Sequence, residues 1–198
     1  MNTVNQSRAR EIMGKNFFGV EEAVKHFRVN PDSQQLAALA KIPFIEATLE
    51  GCKNTHILVA DFGLSIRYTC GHEDGFEDAW YNNQAFVKEG SWVCYQLIRK
   101  TPAENSTSKN WQEQQMFIGK NEEIPSVRVM AYAIIGHHLA TGERLFKDIY
   151  VRTSSFASPF GLRVFVGNFG QDHLNFYGHW NCVRSGRVGL ASVRKLNS

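Results

Sequence analysis

Four cysteines, seven histidines and one run rich in carboxylates are the residues of this chain whose types could carry chemistry. Cys52, Cys70, Cys94 and Cys182 include no pair at C-x-x-C spacing, so neither a zinc knuckle nor a redox pair is read, and isolated thiols in a reducing compartment are expected. Cys70-Gly71-His72-Glu73-Asp74 with Glu77-Asp78 gathers metal-capable side chains, but the spacing fits neither a zinc site nor an EF-hand loop. A solvated acidic loop and no bound metal are expected there. His137-His138 is not part of an H-E-x-x-H motif. Glu143 lies five positions beyond His138, off its helical face, so these read as core or supporting histidines. Cys182 has His179 and Arg184 nearby in sequence, groups that can activate a thiol. No nucleophile elbow, phosphate loop or dinucleotide fingerprint occurs. The expectation is a non-enzymatic protein without a cofactor, with a Cys182-dependent enzyme as the alternative.

The most informative stretch is 163 to 195, RVFVGNFGQDHLNFYGHWNCVRSGRVGLASVRK. Leu174, Phe176, Gly178 and Trp180 alternate with Asn175, Tyr177, His179 and Asn181. A period of two sends the first set to the core and the second to water. Tyr177 and His179 each combine an apolar body with a polar tip, which suits recognition. Phe165, read as pointing outward, would be an exposed aromatic in need of a partner's cover. Tyr, Ser, Gly, Asn and Arg also dominate antibody paratopes. An ordinary hairpin with a polar face explains the same pattern without any ligand.

The elements that must position this stretch follow from periodicity and punctuation. Residues 1–50 read as helical: Val20 to Phe27, a helix opening at Pro31-Asp32-Ser33, and another from Ile45 to Cys52. His56 to Phe62 and Ser91 to Arg99 read as strands, the second covered on both faces. Ser108 to Ile118 and Val127 to Thr141 read as helices. The latter starts at Pro125-Ser126, carries a wide apolar stripe and is capped by Gly142. Ile149 to Arg152, Arg163 to Phe169, Leu174 to Trp180 and Val188 to Lys195 read as short strands. Helices first and a mostly antiparallel sheet after them is an α+β order, in one domain spanning 1–198.

Composition narrows the function classes. A length of 198 residues suffices for a core without staples, burying roughly two-thirds of the unfolded chain's surface. A net charge of +3, scattered along the chain, does not argue for nucleic acid or membrane surfaces. No stretch resembles a signal peptide or a membrane span, so the expected location is cytoplasmic by default, with surface or virion display also open. Asp172 is the one acid between Ser154 and Ser198, which argues against calcium-dependent sugar binding.

The ending Trp180-Asn181, Arg184, Val188-Gly189-Leu190-Ala191-Ser192 and Arg194-Lys195 resembles the variable proteins of diversity-generating retroelements. Ile134-Ile135-Gly136-His137, the run from Leu139 to Phe146, Tyr150 to Ser155, His56 to Ala60 and Ser106 to Trp111 resemble them too, so the likeness covers most of the chain. The resemblance implies a C-type lectin fold of the formylglycine-generating-enzyme subtype, with helices packed around a small, mostly antiparallel sheet. It also implies a variable region at 163–195, recoded by adenine-directed mutagenesis that never produces Lys, Glu, Gln, Met or Trp from an AAC codon. Between His173 and Arg187 the chain has no Lys, Glu, Gln or Met, and its one Trp is Trp180, a fixed position in the family. Gln171 lies outside the permitted set and is left out of the variable positions.

Carried over by residue, the resemblance makes Trp180, Arg184, Gly189, Leu190 and Arg194 framework. Trp180 would be a buried anchor, Arg184 and Arg194 donors to loop carbonyls, and Gly189 a turn or close approach. The diversified, solvent-facing set would be Phe165, Gly167, Gly170, His173, Asn175, Tyr177, His179, Asn181, Cys182, Val183, Ser185, Gly186 and Arg187. Phe165, Tyr177, His179 and Arg187 would be the anchors of binding. Phe176 and Val193 depart from the pattern, standing where smaller residues are expected. The implied partner is a varied macromolecule, a protein rather than nucleic acid. The rivals are an enzyme of the related fold using Cys182 and an assembly protein whose last strands only pack.

Overall fold

The computed structural model describes residues 4–70, 80–171 and 173–196. The helical first quarter comprises α1 (Gln6–Met13), a single 3-10 turn, the two-residue strand β1 (Phe17–Phe18), α2 (Val20–Phe27), α3 (Ser33–Ala38) and α4 (Glu46–Cys52). Local chemistry sets these ends. The Asn5 side chain accepts from the Arg8 amide, and Asp32 and Gln35 form a reciprocal capping box. Then come β2 (His56–Asp61), α5 (Ile66–Cys70), α6 (Ala85–Lys88), β3 (Cys94–Arg99), α7 (Trp111–Gln115), β4 (Glu122–Glu123) and α8 (Val127–Thr141). The last quarter contributes β5 (Tyr150–Ala157), β6 (Leu162–Gly167), β7 (Asn175–His179), β8 (Val188–Leu190) and β9 (Val193–Arg194). The protein is thus α+β, with two small, mostly antiparallel sheets in the orders β1-β2-β3-β9-β4 and β7-β6-β5-β8.

Helix α8 is the axis of the core. Ser126 caps its start by accepting from the Val129 amide, and Gly142 ends it in the left-handed conformation at φ 75°. The sequence suggests an apolar stripe, but every residue from Val127 to His137 is buried, because the helix touches both sheets as well as α2 and α5. A helix apolar on nearly all sides has to be wrapped on all sides. Gly136 lets the helix approach closely there: a Cβ would stand 3.1 Å from the Phe18 ring, which would have to shift slightly. Within this wrapped core the Arg128 guanidinium makes a two-pronged pair with Asp61 at 2.9 and 2.7 Å. The Tyr132 hydroxyl donates to the Ala60 carbonyl at 2.8 Å.

Two local expectations are corrected. The run Val188 to Lys195 is not one strand. Its first half, β8, runs parallel to β5 in the second sheet, and its second half, β9, pairs with β3 and β4 in the first. Ala191 and Ser192, both buried, carry the chain between the sheets. The helix expected over Ser108 to Ile118 shrinks to Trp111–Gln115. The reason is that Asn110 caps it in a reciprocal box with Glu113, and Ser108 sits at φ 57°, outside helical geometry.

The second sheet has two distinct faces. Register pairs Arg152 with Phe165 and Tyr177, and Phe156 with Arg163 and His179. Val151, Val166 and Phe176 form the alternate row, which packs into the main core. Phe165 is buried yet lies outside that contiguous core, as a residue on the opposite face must.

Candidate functional site

The outer face of the second sheet is an aromatic and basic surface. Ring centroids step from Tyr150 to Phe165 at 6.3 Å, Phe165 to Tyr177 at 6.1 Å and Tyr177 to His179 at 6.2 Å. The alternation read from the sequence is therefore real for β7: Leu174 and Phe176 are buried, and Tyr177 is 52% exposed. It fails for Trp180, which is also 52% exposed rather than a buried anchor. Strand β7 ends at His179, so the alternation no longer governs the next residue. The chain turns instead, with the Val183 amide donating to the Trp180 carbonyl at 3.2 Å.

Two of the thirteen positions expected to contact a ligand do not reach solvent. Phe165 points to the outer face but is only 3% exposed, because it lies under Tyr150, Tyr177 and the Arg152 guanidinium, 5.3 Å from its centroid. It is the floor of the surface and not a contact. Gly167 is buried at φ 142°, and a Cβ there would stand 2.2 Å from the Ile149 carbonyl oxygen. No side chain fits, so this position cannot be diversified. The remaining positions reach the surface. His173, Tyr177, Asn181, Cys182, Gly186 and Arg187 are exposed, while Gly170, Asn175, His179, Val183 and Ser185 are half-buried.

The stretch from Trp180 to Arg187 has no regular structure, yet its main chain is tied down at every second residue. The Asn181 carbonyl accepts from the Trp111 amide at 2.9 Å, and the Val183 carbonyl accepts from the Arg152 guanidinium. The Ser185 carbonyl accepts from the Ser108 amide and the Arg187 carbonyl from the Tyr150 amide, both at 2.9 Å. All four ties use backbone oxygens of the loop. None of the four uses a loop side chain, although the Ser185 hydroxyl separately accepts from the Arg187 amide at 3.2 Å, so the side chains at 181, 183 and 187 are not needed to hold the backbone.

The framework behind these ties differs from the expected one. Gly189 and Leu190 are buried, Gly189 so closely packed that a Cβ would meet Pro102 at 2.4 Å. Arg194 is half-buried within β9. Arg184, however, does not serve loop carbonyls. It reaches back to the Glu113 carboxylate at 2.6 and 3.1 Å with a largely exposed side chain, a pair worth little in water.

The carbonyl donor is Arg152, fully buried, which also serves the Lys109 carbonyl at 3.1 Å and Gln114 Oε1 at 2.9 Å. Gln114 Nε2 in turn donates to the Ser106 and Val188 carbonyls at 2.8 and 3.1 Å. The Ser106 hydroxyl donates to the Ala103 carbonyl and accepts from the Leu190 amide. Burial lowers the pKa of Arg152, the cost of holding a cation in the interior. Sequence reading missed Arg152 and Gln114 as the residues that hold this loop from behind. The available signal was a charged residue inside the strand run Tyr150-Val151-Arg152-Thr153 and an amide on the Trp111 side of α7, since buried polar groups occur where a network satisfies them.

Other candidates for chemistry resolve as follows. Cys182 is exposed and shares a cavity of about 260 Å³ with Asn110, Trp111, Gln112 and Asn181. His179 accepts from the Trp180 amide through Nδ1 and Arg184 holds Glu113, and no hydrogen bond joins either to Cys182 among the described residues. Glu143 meets His137, not His138, because the left-handed turn at Gly142 folds it back to 3.3 Å. Burial alone would raise the Glu143 carboxyl, but Lys100, Lys15 and His137 together hold it down to about 2. His138 packs edge-on against Phe169 at 4.9 Å. Of the acidic run, Cys70 is buried at the end of α5, and 71–79 lie outside the described residues.

Among the described residues no group of three His, Cys, Asp or Glu side chains could hold a metal ion, and no helix is long and apolar enough to cross a membrane. Comparison of the chain with family models, with curated proteins and with solved structures gives no match.

Proposed function

We propose that this chain is a binding protein that presents replaceable side chains on the outer face of its second sheet and on the loop from Trp180 to Arg187. This reading makes it similar to the variable proteins of diversity-generating retroelements, on a C-type lectin-like scaffold of the formylglycine-generating-enzyme subtype. The observation that carries the reading is the anchoring of the loop through the carbonyls of Asn181, Val183, Ser185 and Arg187. A loop held by its own backbone keeps its shape when its side chains change, which is what a diversified surface requires.

The contact set is narrower than the sequence suggests. It comprises Tyr177, His179, Asn181, Cys182, Ser185, Gly186 and Arg187, with His173 and Asn175 at one margin. Tyr177 and Arg187 are residue types that concentrate binding energy. Trp180, exposed beside them, joins as a fixed contact.

The test is a library in which positions 177, 181, 185 and 187 are randomised together. Most members are expected to fold with stability within about 1 kcal/mol of the parent, as surface substitutions do. Selection against a panel of proteins should then yield binders with different targets. Collapse of most members would defeat the proposal. At the gene level, a near-copy of the codons for 163–195 differing at adenines, beside a reverse-transcriptase gene, is the expected arrangement.

A further inference from the structure

We propose that Arg163 seats a carboxylate of an acidic protein partner docked on the outer face of the second sheet. The inference rests on the binding role above and names the chemistry of the partner. Arg163 is 5% exposed, with its guanidinium carbon 3.7 Å from the ring centroids of both Trp111 and Phe156. Its Nη1 donates to the Ser154 carbonyl at 2.7 Å, while Nε is buried with no partner among the described residues. No carboxylate among the described residues pairs with Arg163 or with the neighbouring Arg152.

Buried charges are ordinarily matched by an opposite charge, since desolvation is costly and a lone ion recovers little of it. Arg152 answers that cost with three acceptors. Arg163 has one, and it also feels the repulsion of Arg152. Burial first, and Arg152 second, push its pKa down to about 10. An arriving carboxylate would relieve both, and a guanidinium offers the fork that such a group accepts in two bonds. The position suits a docking partner: on the outer face Arg163 lies between Phe156 and His179, one row from Tyr177. Phe156 covers one face of the guanidinium and is itself 53% exposed, so rotation of its ring opens the site.

Charge across the region agrees. On the second sheet and its loop, Arg152, Arg163, Arg184 and Arg187 stand with a single acid in sequence, Asp172, while acids and bases balance over the rest of the chain. Nucleic acid is the weaker candidate. Phosphate tracking needs a row of uncommitted cations, and on the loop Arg184 is already held by Glu113, leaving Arg187.

The experiment follows the Arg163 Nε–H resonance and tryptophan fluorescence of the whole chain titrated with a blocked oligoglutamate peptide, with oligothymidylate and with sulfate. A saturable response to the peptide is expected, weakened by salt and weakened about tenfold or more in Arg163→Gln. Phe156→Ala, which leaves Arg163 in place, should tighten peptide binding and keeps the test valid if the Arg163 variant does not fold. An unmoved wild-type resonance, or a response to oligothymidylate or sulfate equal to that with peptide, overturns the proposal. If the peptide fails while the randomised library still folds and yields binders, the acidic partner is wrong and the display surface stands.

Discussion

Replacing Arg152 by methionine tests whether the loop from Trp180 to Arg187 is held from behind. The two side chains have similar length, so packing against Phe165 is largely kept while every donor is lost. Three acceptors lose their partner: the Lys109 carbonyl, Gln114 Oε1 and the Val183 carbonyl. Each buried acceptor left unpaired costs about 1 to 3 kcal/mol. The cation–π contact with Phe165 adds about 0.5 to 2 kcal/mol. Against these losses stands the relief of no longer burying a cation whose pKa is already lowered. The net expectation is a loss of about 2 to 4 kcal/mol, within the total stability of a typical domain, so the variant should still fold. Urea denaturation of parent and Arg152→Met at one pH and salt gives the difference. Hydrogen exchange gives its location. The amides of Ser108, Trp111 and Tyr150 donate to loop carbonyls and should lose protection, while amides of β2 and α8 should lose only what global stability loses. A loss below about 1 kcal/mol, or an equal loss from Ser185→Ala or Arg187→Ala, would show that the loop does not depend on this donor and would refute the reasoning.

Further outcomes are expected from the same structure. Gly167→Ala should cost at least about 2 kcal/mol by thermal or chemical denaturation, since its φ and the Ile149 carbonyl both forbid a Cβ. Gly186→Ala, whose nearest new neighbour is Ser108 Oγ at 3.6 Å, should stay within about 0.5 kcal/mol. Burial, the dominant influence, holds the pKa of His56 down to about 4, below its ordinary value near 6.5. The folded state therefore keeps this ring neutral while the unfolded chain takes up a proton, so stability is full above pH 6.5. It should fall by about 3 kcal/mol as pH drops to 4, with His26 and His137, also lowered by burial, adding to the slope. Denaturation from pH 7 to pH 4 should show this ramp, and it should flatten in His56→Gln. Cys182→Ser should leave stability unchanged and binding largely intact, since it alters one exposed contact among several. Loss of a measurable activity in that variant would favour the enzymatic alternative instead.

Strong local signals made parts of this fold readable from the chain alone. Helix α8 runs from Val127 to Thr141 as expected, because Ser126 and Gly142 are specific end signals and a long apolar run between them has few alternatives. Strand β2, buried along its whole length, was equally plain from its β-branched apolar run. The alternation at Asn175 to His179 announced its two faces. What remained hidden depended on partners distant in sequence. Phe165 and Tyr177 have the same alternation phase, yet one is covered and the other exposed, because β6 has a strand on each side whereas β7 is an edge strand. Trp180 looked like an anchor, but where a strand stops is decided by the turn that follows it. Arg152 reaches Lys109, Gln114 and Val183 across separations of 31 to 43 residues, and no local pattern encodes such a meeting. Sequence alone therefore determined the main elements and the mixed composition of the stretch 163–195, since these follow from short-range sterics and periodicity. Tertiary structure alone decided which of those side chains reach solvent and what holds them, since burial and hydrogen-bond pairing are properties of residues brought together by folding.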